Sequence, residues 1–231
     1  MSKNNASEIS KMLAAVPYFA TLDAAMLETI AKATTQQNYD SGQIVFLEGE
    51  VCTGLYIVQD GWLKAVKLSP SGREQTLRFI GPGDTFSEIS VLSVTPNNPA
   101  TVIALEPSSV LIVPREMMLH LLDEHTDLAR IIIQNLASRV MHLASLVEDL
   151  SLRSVEARLA RVLLENASEG VLYRRRWATQ SEMAARLGTV PDVLSRVLRG
   201  LVEEGIIQIE RREIRILDSQ KLELKAMDSK M

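Results

Sequence analysis

A change of hydrophobic period at Pro114 constrains this chain more than any other feature. Upstream, from about Asp40 to Val113, short runs rich in β-branched residues (IVFLE, LYIVQ, WLKAVKL, TLRFI, ATVIAL, SVLIV) alternate with turn signals. The turns are Ser41-Gly42, Asp60-Gly61, Ser69-Pro70-Ser71-Gly72, Gly81-Pro82-Gly83-Asp84 and Pro96-Asn97-Asn98-Pro99. About eight strands at this spacing predict a double-sheet or jelly-roll domain. Downstream the period becomes helical and runs to about Leu152. Ala129, Ile133, Leu136, Val140, Leu143, Val147 and Leu150 recur at spacings of 4, 3, 4, 3, 4, 3, giving heptads with apolar a and d positions. Ile131, Ile132, Met141 and Leu146 widen the stripe, so one face can meet a partner helix while another packs on the β-domain. The expectation is a homodimer joined through Ile133, Leu136, Val140, Leu143, Val147 and Leu150; the alternative is an intramolecular core helix.

Before the strands, the first 36 residues read as helical, with Leu22, Ala25, Met26, Leu27 and Ile30 forming an amphipathic stripe after a cap at Thr21. After the long helix, a second one is expected from Ser154 to Asn166. The stretch from Ser168 to Trp177, with Gly170 and Arg174-Arg175-Arg176, reads as a linker or short strand. The end of the chain, from about Lys225, reads as frayed.

At 231 residues, 46% hydrophobic and 23% charged, the chain has material for two cores. No apolar run reaches the ~18 residues of a membrane span, and the N-terminus lacks the apolar stretch of a signal peptide. The lone Cys52 supports neither an intrachain disulfide nor a multi-cysteine metal site. A reducing cytoplasm fits this. The net charge of −4 is divided unevenly. Residues 1–151 carry 10 Lys and Arg against 17 Asp and Glu, and residues 152–231 carry 15 against 12. A polyanion would therefore dock on the second part. An enzyme would need a nucleophile–base pair, a metal cluster or a phosphate loop. None is present, since Gly81-Pro82-Gly83 lacks the Gly-Lys-Ser/Thr ending of a P-loop.

The richest motif lies after Trp177. Thr179-x-x-Glu182 is a capping box, in which the threonine hydroxyl accepts an orphan N–H and the glutamate reaches back. It opens a short helix with Met183, Ala184 and Leu187 on its apolar face. Gly188 ends that helix, because it adopts positive φ without penalty. Thr189 or Val190 begins the next helix, and Pro191 suits its first turn. Short helix, glycine turn and longer helix make a helix-turn-helix. In the second helix Leu194, Val197, Leu198 and Leu201 form the buried stripe, while Asp192, Ser195, Arg196 and Arg199 repeat the same spacing around the side. Such a face suits a major groove: arginine donates twice to guanine, a carboxylate accepts from cytosine, and serine is short. Arg199 would meet a phosphate. IIQIE, Arg211-Arg212 and EIRIL then read as a hairpin whose arginine tip can lie on the DNA backbone, although its turn lacks the usual glycine. Thr179, Gln180, Val190 and Pro191, at the helix starts, complete the candidate DNA-contacting set.

These residues carry a resemblance. GLYIVQDGWLKAVKLSPSGREQTLRFIGPGDTFSEISVL, the long helix at 125–152 and RLGTVPDVLSRVLRGLVEEGII with its wing are similar to the CRP/FNR superfamily of transcription regulators, in the family's own order. The resemblance implies an α+β chain. Residues 1–124 would form a double-stranded β-helix of the cyclic-nucleotide-binding type with flanking helices. Residues 125–152 would be the dimerisation helix, and 153–231 a winged helix-turn-helix. It also implies a homodimer, double-stranded DNA as partner, contact with RNA polymerase and no membrane. Asp192-x-x-Ser195-Arg196 matches the Glu-x-x-Ser-Arg of the FNR-like branch, which is associated with TTG half-sites. Arg196 would bond guanine, Ser195 would lie near thymine, and Asp192, one methylene short, would take the carboxylate role.

The effector pocket departs from the cAMP-binding branch. Phe86, Ser87, Glu88, Pro99, Ala100, Arg139 and Leu143 occupy the resembling positions. Where that branch has Gly-Glu and then Arg-Ser, this chain has Ser87-Glu88 and then Pro99-Ala100, and its adenine-contacting Thr-Ser pair aligns with Leu143-Ala144. A buried cyclic phosphate needs a cation, which Pro99 cannot supply. Glu88, with no cation opposite, would repel a phosphate, so ordinary cAMP recognition is disfavoured. Arg139 is expected either to bind an anion or to pair with an acidic neighbour. An FNR-type iron–sulfur cluster needs about four cysteines and is excluded. The alternatives are a haem-based gas sensor using His142 and a cyclic-nucleotide-responsive regulator with an atypical pocket. The effector is unknown.

Overall fold

A computed structural model describes residues 3–228. The chain divides into two compact units, residues 1–67 with 77–141, and residues 68–76 with 142–231.

The chain begins with α1 (Lys3–Ala15) and α2 (Ala24–Ala33) and continues into eight strands: β1 (Thr35–Tyr39), β2 (Ile44–Phe46), β3 (Gly54–Asp60), β4 (Leu63–Leu68), β5 (Glu74–Ile80), β6 (Thr85–Phe86), and, after the short α3 (Glu88–Leu92), β7 (Thr101–Ala104) and β8 (Ser108–Pro114). They form two four-stranded sheets, ordered β1-β8-β3-β6 and β2-β7-β4-β5. The pairings of β1, β3 and β6 in the first sheet, and of β2 and β4 with β7 in the second, are antiparallel. This is the expected double-sheet β-roll.

The central strands β3 and β8 are buried on both faces, which explains their nearly unbroken apolar sequence. From β3, Tyr56 and Val58 point between the sheets with Phe46, Phe86, Val110 and Ile112. The alternate residues Leu55 and Ile57, with Leu111 and Val113 of β8, face Leu13, Phe19 and Ile30 of the helical layer. Two helices leave the roll: α4 (Arg115–Glu124), capped by Pro114, and α5 (Thr126–Leu152). Leu128 and Ile132 near the start of α5 join the helical-side core.

Two expectations for the N-terminal stretch need correction. Asp23, rather than Thr21, caps α2, its Oδ1 accepting the Met26 N–H at 2.8 Å. The helical reading of the first 36 residues also runs too far, because Thr35 already begins β1. This strand lies at a sheet edge and exposes four of its five residues. Its identity comes from backbone pairing with β8, from Thr35↔Ile112 to Tyr39↔Ser108, and not from apolar alternation.

The second unit holds α6 (Val155–Asn166), β9 (Val171–Tyr173), α7 (Gln180–Arg186), α8 (Pro191–Glu203), β10 (Ile207–Ile209), β11 (Glu213–Ile216) and α9 (Ser219–Ala226). The strands form one antiparallel sheet ordered β10-β11-β9. Leu159 and Leu163 of α6, Leu194, Leu198 and Leu201 of α8, and Ile207 and Ile214 of the hairpin make its core, with Leu222 of α9. Order therefore extends past the expected start of fraying at Lys225, since α9 runs to Ala226; the rest of that expectation, on residues 229–231, lies outside the described residues. Leu222 is fully buried, and Lys225 Nζ reaches Glu156 at 2.8 Å and Glu204 at 2.9 Å. Among the described residues no helix is long and apolar enough to cross a membrane.

Candidate functional site

Local chemistry sets the helix-turn-helix. Thr179 Oγ1 accepts the Glu182 N–H at 3.2 Å and starts α7, while the Thr179 N–H donates to the Trp177 carbonyl at 2.7 Å. At the other end the Thr189 N–H bonds the Ala184 carbonyl at 2.9 Å and the Gly188 N–H bonds that of Ala185 at 3.3 Å. These are the paired bonds of a Schellman turn, which needs the left-handed φ of +63° that Gly188 adopts. The buried Arg158 of α6 donates to the Leu187 carbonyl, satisfying an acceptor at the helix end. A Cβ on Gly188 would overlap Leu150 Cδ2 and stand 3.2 Å from the Arg158 guanidinium, so a larger residue would have to displace side chains as well as adopt a left-handed φ. Burial lowers the Arg158 pKa, offset in part by Asp149.

α8 then separates its faces as the spacing predicts. Leu194, Leu198 and Leu201 are buried; Pro191, Asp192, Arg196 and Arg199 are exposed; Ser195 is half-buried. Among the described residues no ion pair engages Asp192, Arg196 or Arg199. Ser195 Oγ donates to Gln180 Oε1 at 3.1 Å, tying the start of α7 to the polar face of α8. Val190 is the N-cap of α8, is 41% exposed, and makes no side-chain capping bond.

The hairpin tip is a two-residue turn. Ile209 faces Ile214, and the Glu210 N–H bonds the Glu213 carbonyl at 2.9 Å, which leaves Arg211 and Arg212 at the apex. Neither has a positive φ, so the turn dispenses with the glycine that the sequence lacks. The segment whose composition reads as a linker lies beside this tip. Tyr173 of β9 pairs with Glu213, and the Arg174 N–H donates to the Arg212 carbonyl at 2.7 Å. Arg174, Arg175 and Arg176 thus join Arg211 and Arg212 around one cleft of about 640 Å³ that Thr179 and Gln180 also line. The arginine run is visible in the sequence, but its placement depends on a strand pairing across 40 residues.

The residues of the expected effector pocket differ in burial and contacts. Phe86 belongs to the core between the sheets, 4% exposed and stacked on Tyr56 with ring centroids 5.0 Å apart. Ser87 has a left-handed φ of +75° and donates to Asn98 Oδ1 at 2.9 Å. Ala100 is buried, Pro99 exposed, and Leu143 42% exposed on α5.

Glu88 does have a cation opposite it, contrary to expectation. Arg139 Nη1 meets its Oε2 and Arg139 Nη2 its Oε1, both at 2.6 Å, in the parallel fork geometry that makes such pairs strong. Thr85 Oγ1 and the Tyr18 hydroxyl add bonds to Oε1 at 2.5 and 3.1 Å. The guanidinium is held further by the Thr85 carbonyl at 2.8 Å and Asn135 Oδ1 at 2.9 Å. Burial and the Glu88 carboxylate push the Tyr18 phenol up, so it remains a donor at any physiological pH. Pairing with an acidic neighbour is one of the two roles open to Arg139, and Glu88 is that neighbour. The sequence could not reveal it, because the partners lie 51 residues apart on separate elements. His142 is exposed on α5, and among the described residues no three His, Cys, Asp or Glu side chains cluster as a metal site would require.

Comparison with known proteins accords with this geometry. The cyclic nucleotide-binding domain family matches residues 36–125, and the Crp-like helix-turn-helix domain family matches residues 157–224. The CRP-like cAMP-activated global transcriptional regulator of Mycobacterium tuberculosis is 25% identical over 224 residues, covering 94% of this chain and 100% of that protein. The cyclic AMP receptor protein of Thermus thermophilus is 29% identical over 187 residues, covering 80% of this chain and 85% of its own. In fold, the structure of FixK2 from Bradyrhizobium japonicum matches with a TM-score of 0.73 at 24% identity, over 85% of this chain and 99% of that one.

Proposed function

Because the chain belongs to the CRP/FNR family of transcription regulators, we propose that it acts in the cytoplasm as a homodimer. It reads a palindrome of TTG-containing half-sites through Asp192, Ser195 and Arg196. One observation carries the reading: α8 buries its leucines and leaves Asp192 and Arg196 exposed and without ion pairs among the described residues. Charges left uncommitted on a well-packed helix are available to base edges. Arg199, Arg211 and Arg212 set the register on phosphates.

The dimer reading rests on α5. This helix of 27 residues, about 40 Å long, exposes Ile133, Val140 and Val147 by 64, 64 and 63% at heptad spacing. Leu136 and Leu150 are half-buried and Leu143 42% exposed along the same stripe. A matching helix from a second copy would cover it, and two copies would present two reading helices to half-sites one helical turn apart. The double variant Val140→Glu with Val147→Glu is expected to sediment as a monomer and to lose binding to the full palindrome. A dimer of wild-type stability would overturn this interface.

The effector reading follows from Glu88 and Arg139. A cyclic phosphate would have to compete with a carboxylate that already holds the guanidinium in a fork, and neither Pro99 nor Leu143 offers a charge or a base contact. The regulator therefore responds to an effector other than cAMP, or to none. Adding cAMP at about 1 mM is expected to leave the thermal midpoint unchanged. A dissociation constant 100-fold below that concentration would raise stability by about 2.7 kcal/mol, and a midpoint rising with cAMP concentration would overturn the reading.

A further inference from the structure

The arginine cleft lies outside the helix that reads bases, and none of its five arginines belongs to a hydrophobic core. Three come from the β9–α7 segment (Arg174, Arg175, Arg176) and two from the hairpin tip (Arg211, Arg212). Among the described residues no carboxylate lines the cleft. Among the described residues no ion pair engages the side chains of Arg176, Arg211 or Arg212, and all three are exposed. Arg176, Arg211 and Arg212 carry like charges around one cleft and repel each other, so the fold must hold them there. It does so through two backbone bonds, Arg174 N–H to the Arg212 carbonyl at 2.7 Å and Ala178 N–H to the Arg175 carbonyl at 3.0 Å, and one side-chain bond, Arg174 Nη2 to the Ala178 carbonyl at 3.1 Å. The loop is thus a braced platform and not a slack linker.

We infer that the Arg174–Arg176 loop is a second phosphate-binding wall, which with the hairpin tip grips the sugar-phosphate backbone of DNA beside the bases read by α8. Guanidinium groups suit phosphate oxygens through their planar, forked donors. DNA backbone is the favoured occupant because the cleft is continuous with the reading surface. Thr179 and Gln180 form its other wall, and Gln180 is bonded to Ser195 on the polar face of α8. Bound DNA would replace the counterions that such a charge cluster otherwise gathers, and their release makes binding depend on salt.

This inference rests on the DNA-reading proposal, and the experiment separates the two. A duplex selected from a randomised library by the wild-type protein is compared with a scrambled duplex, each titrated across a range of salt concentrations. The variants are Arg176→Gln and the pair Arg175→Gln with Arg176→Gln; Arg176 is exposed, so the thermal midpoint should hold. Arg176→Gln is expected to weaken both duplexes by the same factor. It should also lower the slope of log affinity against log salt by about 1.8, at about 0.9 for the one phosphate that each of two protomers no longer neutralises. Ethylation interference should lose one backbone position per half-site in this variant. Unchanged slopes in both variants, with sequence preference intact, would overturn the second wall alone. A selective loss on the chosen duplex would also overturn it, because Arg176 would then be reading a base. A wild-type protein that enriches no sequence from the library would overturn the regulator reading itself.

Discussion

Arg196→Ala is expected to reduce sharply the discrimination between the selected palindrome and a scrambled duplex while leaving the protein folded. Arg196 is exposed on the opposite side of α8 from Leu194, Leu198 and Leu201, so truncating it removes no core packing. A bidentate arginine–guanine pair is worth about 1–3 kcal/mol of discrimination, and a dimer loses it at both half-sites. Preference for the palindrome should therefore fall by about one to four orders of magnitude, while the non-specific affinity supplied by phosphate contacts changes much less. Gel-shift titration of both duplexes at fixed salt reads the two effects separately. Equal affinity of Arg196→Ala and wild type for the palindrome would show that the reading face has been assigned to the wrong residues. Asp192→Glu restores the longer carboxylate of the FNR-like pattern and should alter the preferred base at one position without lowering overall affinity.

The second large effect lies in the β-roll. Arg139→Met removes the only ion pair seen for Glu88 among the described residues and leaves a carboxylate 1% exposed to solvent with two hydroxyl donors. Removing one partner of a buried pair costs about 3–5 kcal/mol, because the other charge stays buried. Thermal or urea unfolding of the variant should show that loss. Adding Glu88→Gln to Arg139→Met should recover much of it, since an amide tolerates burial better than a lone carboxylate. Non-additivity in this double-mutant cycle is the signature of direct coupling. Additive losses would mean that Arg139 stabilises the roll mainly by its bonds to the Thr85 carbonyl and Asn135.

The two ends of the molecule are unequally legible in the sequence. The helix-turn-helix is written in local chemistry: a cap at Thr179, a left-handed turn at Gly188, Pro191 at a helix start, and leucines at helical spacing. Each acts within a few residues, so spacing alone locates it. β1 escapes notice because an edge strand with polar exposed residues carries no apolar alternation. Glu88 and Arg139 show as charges but not as partners, because only the tertiary fold brings them together. The arginine run at 174–176 is similarly ambiguous. Composition marks it as a linker, and pairing of Tyr173 with Glu213 places it on the rim of the cleft. Lys225 and Leu222 repeat the lesson at the C-terminus, where proximity to a chain end suggests fraying and remote partners provide anchorage.

The sheet order also sets a timetable for synthesis. β1 takes its hydrogen bonds from β8, with Thr35 opposite Ile112, 77 residues later. At about 5–20 residues per second, an emerging β1 waits roughly 4–15 seconds for its partner to be made. During that interval its backbone donors and acceptors are open to other chains. The polar side chains of Thr35, Gln36, Gln37 and Asn38 are suited to that wait, because a hydrophilic strand is a poor seed for aggregation. The winged-helix hairpin has no such delay: β10 and β11 are separated by three residues and can pair as soon as they leave the ribosome.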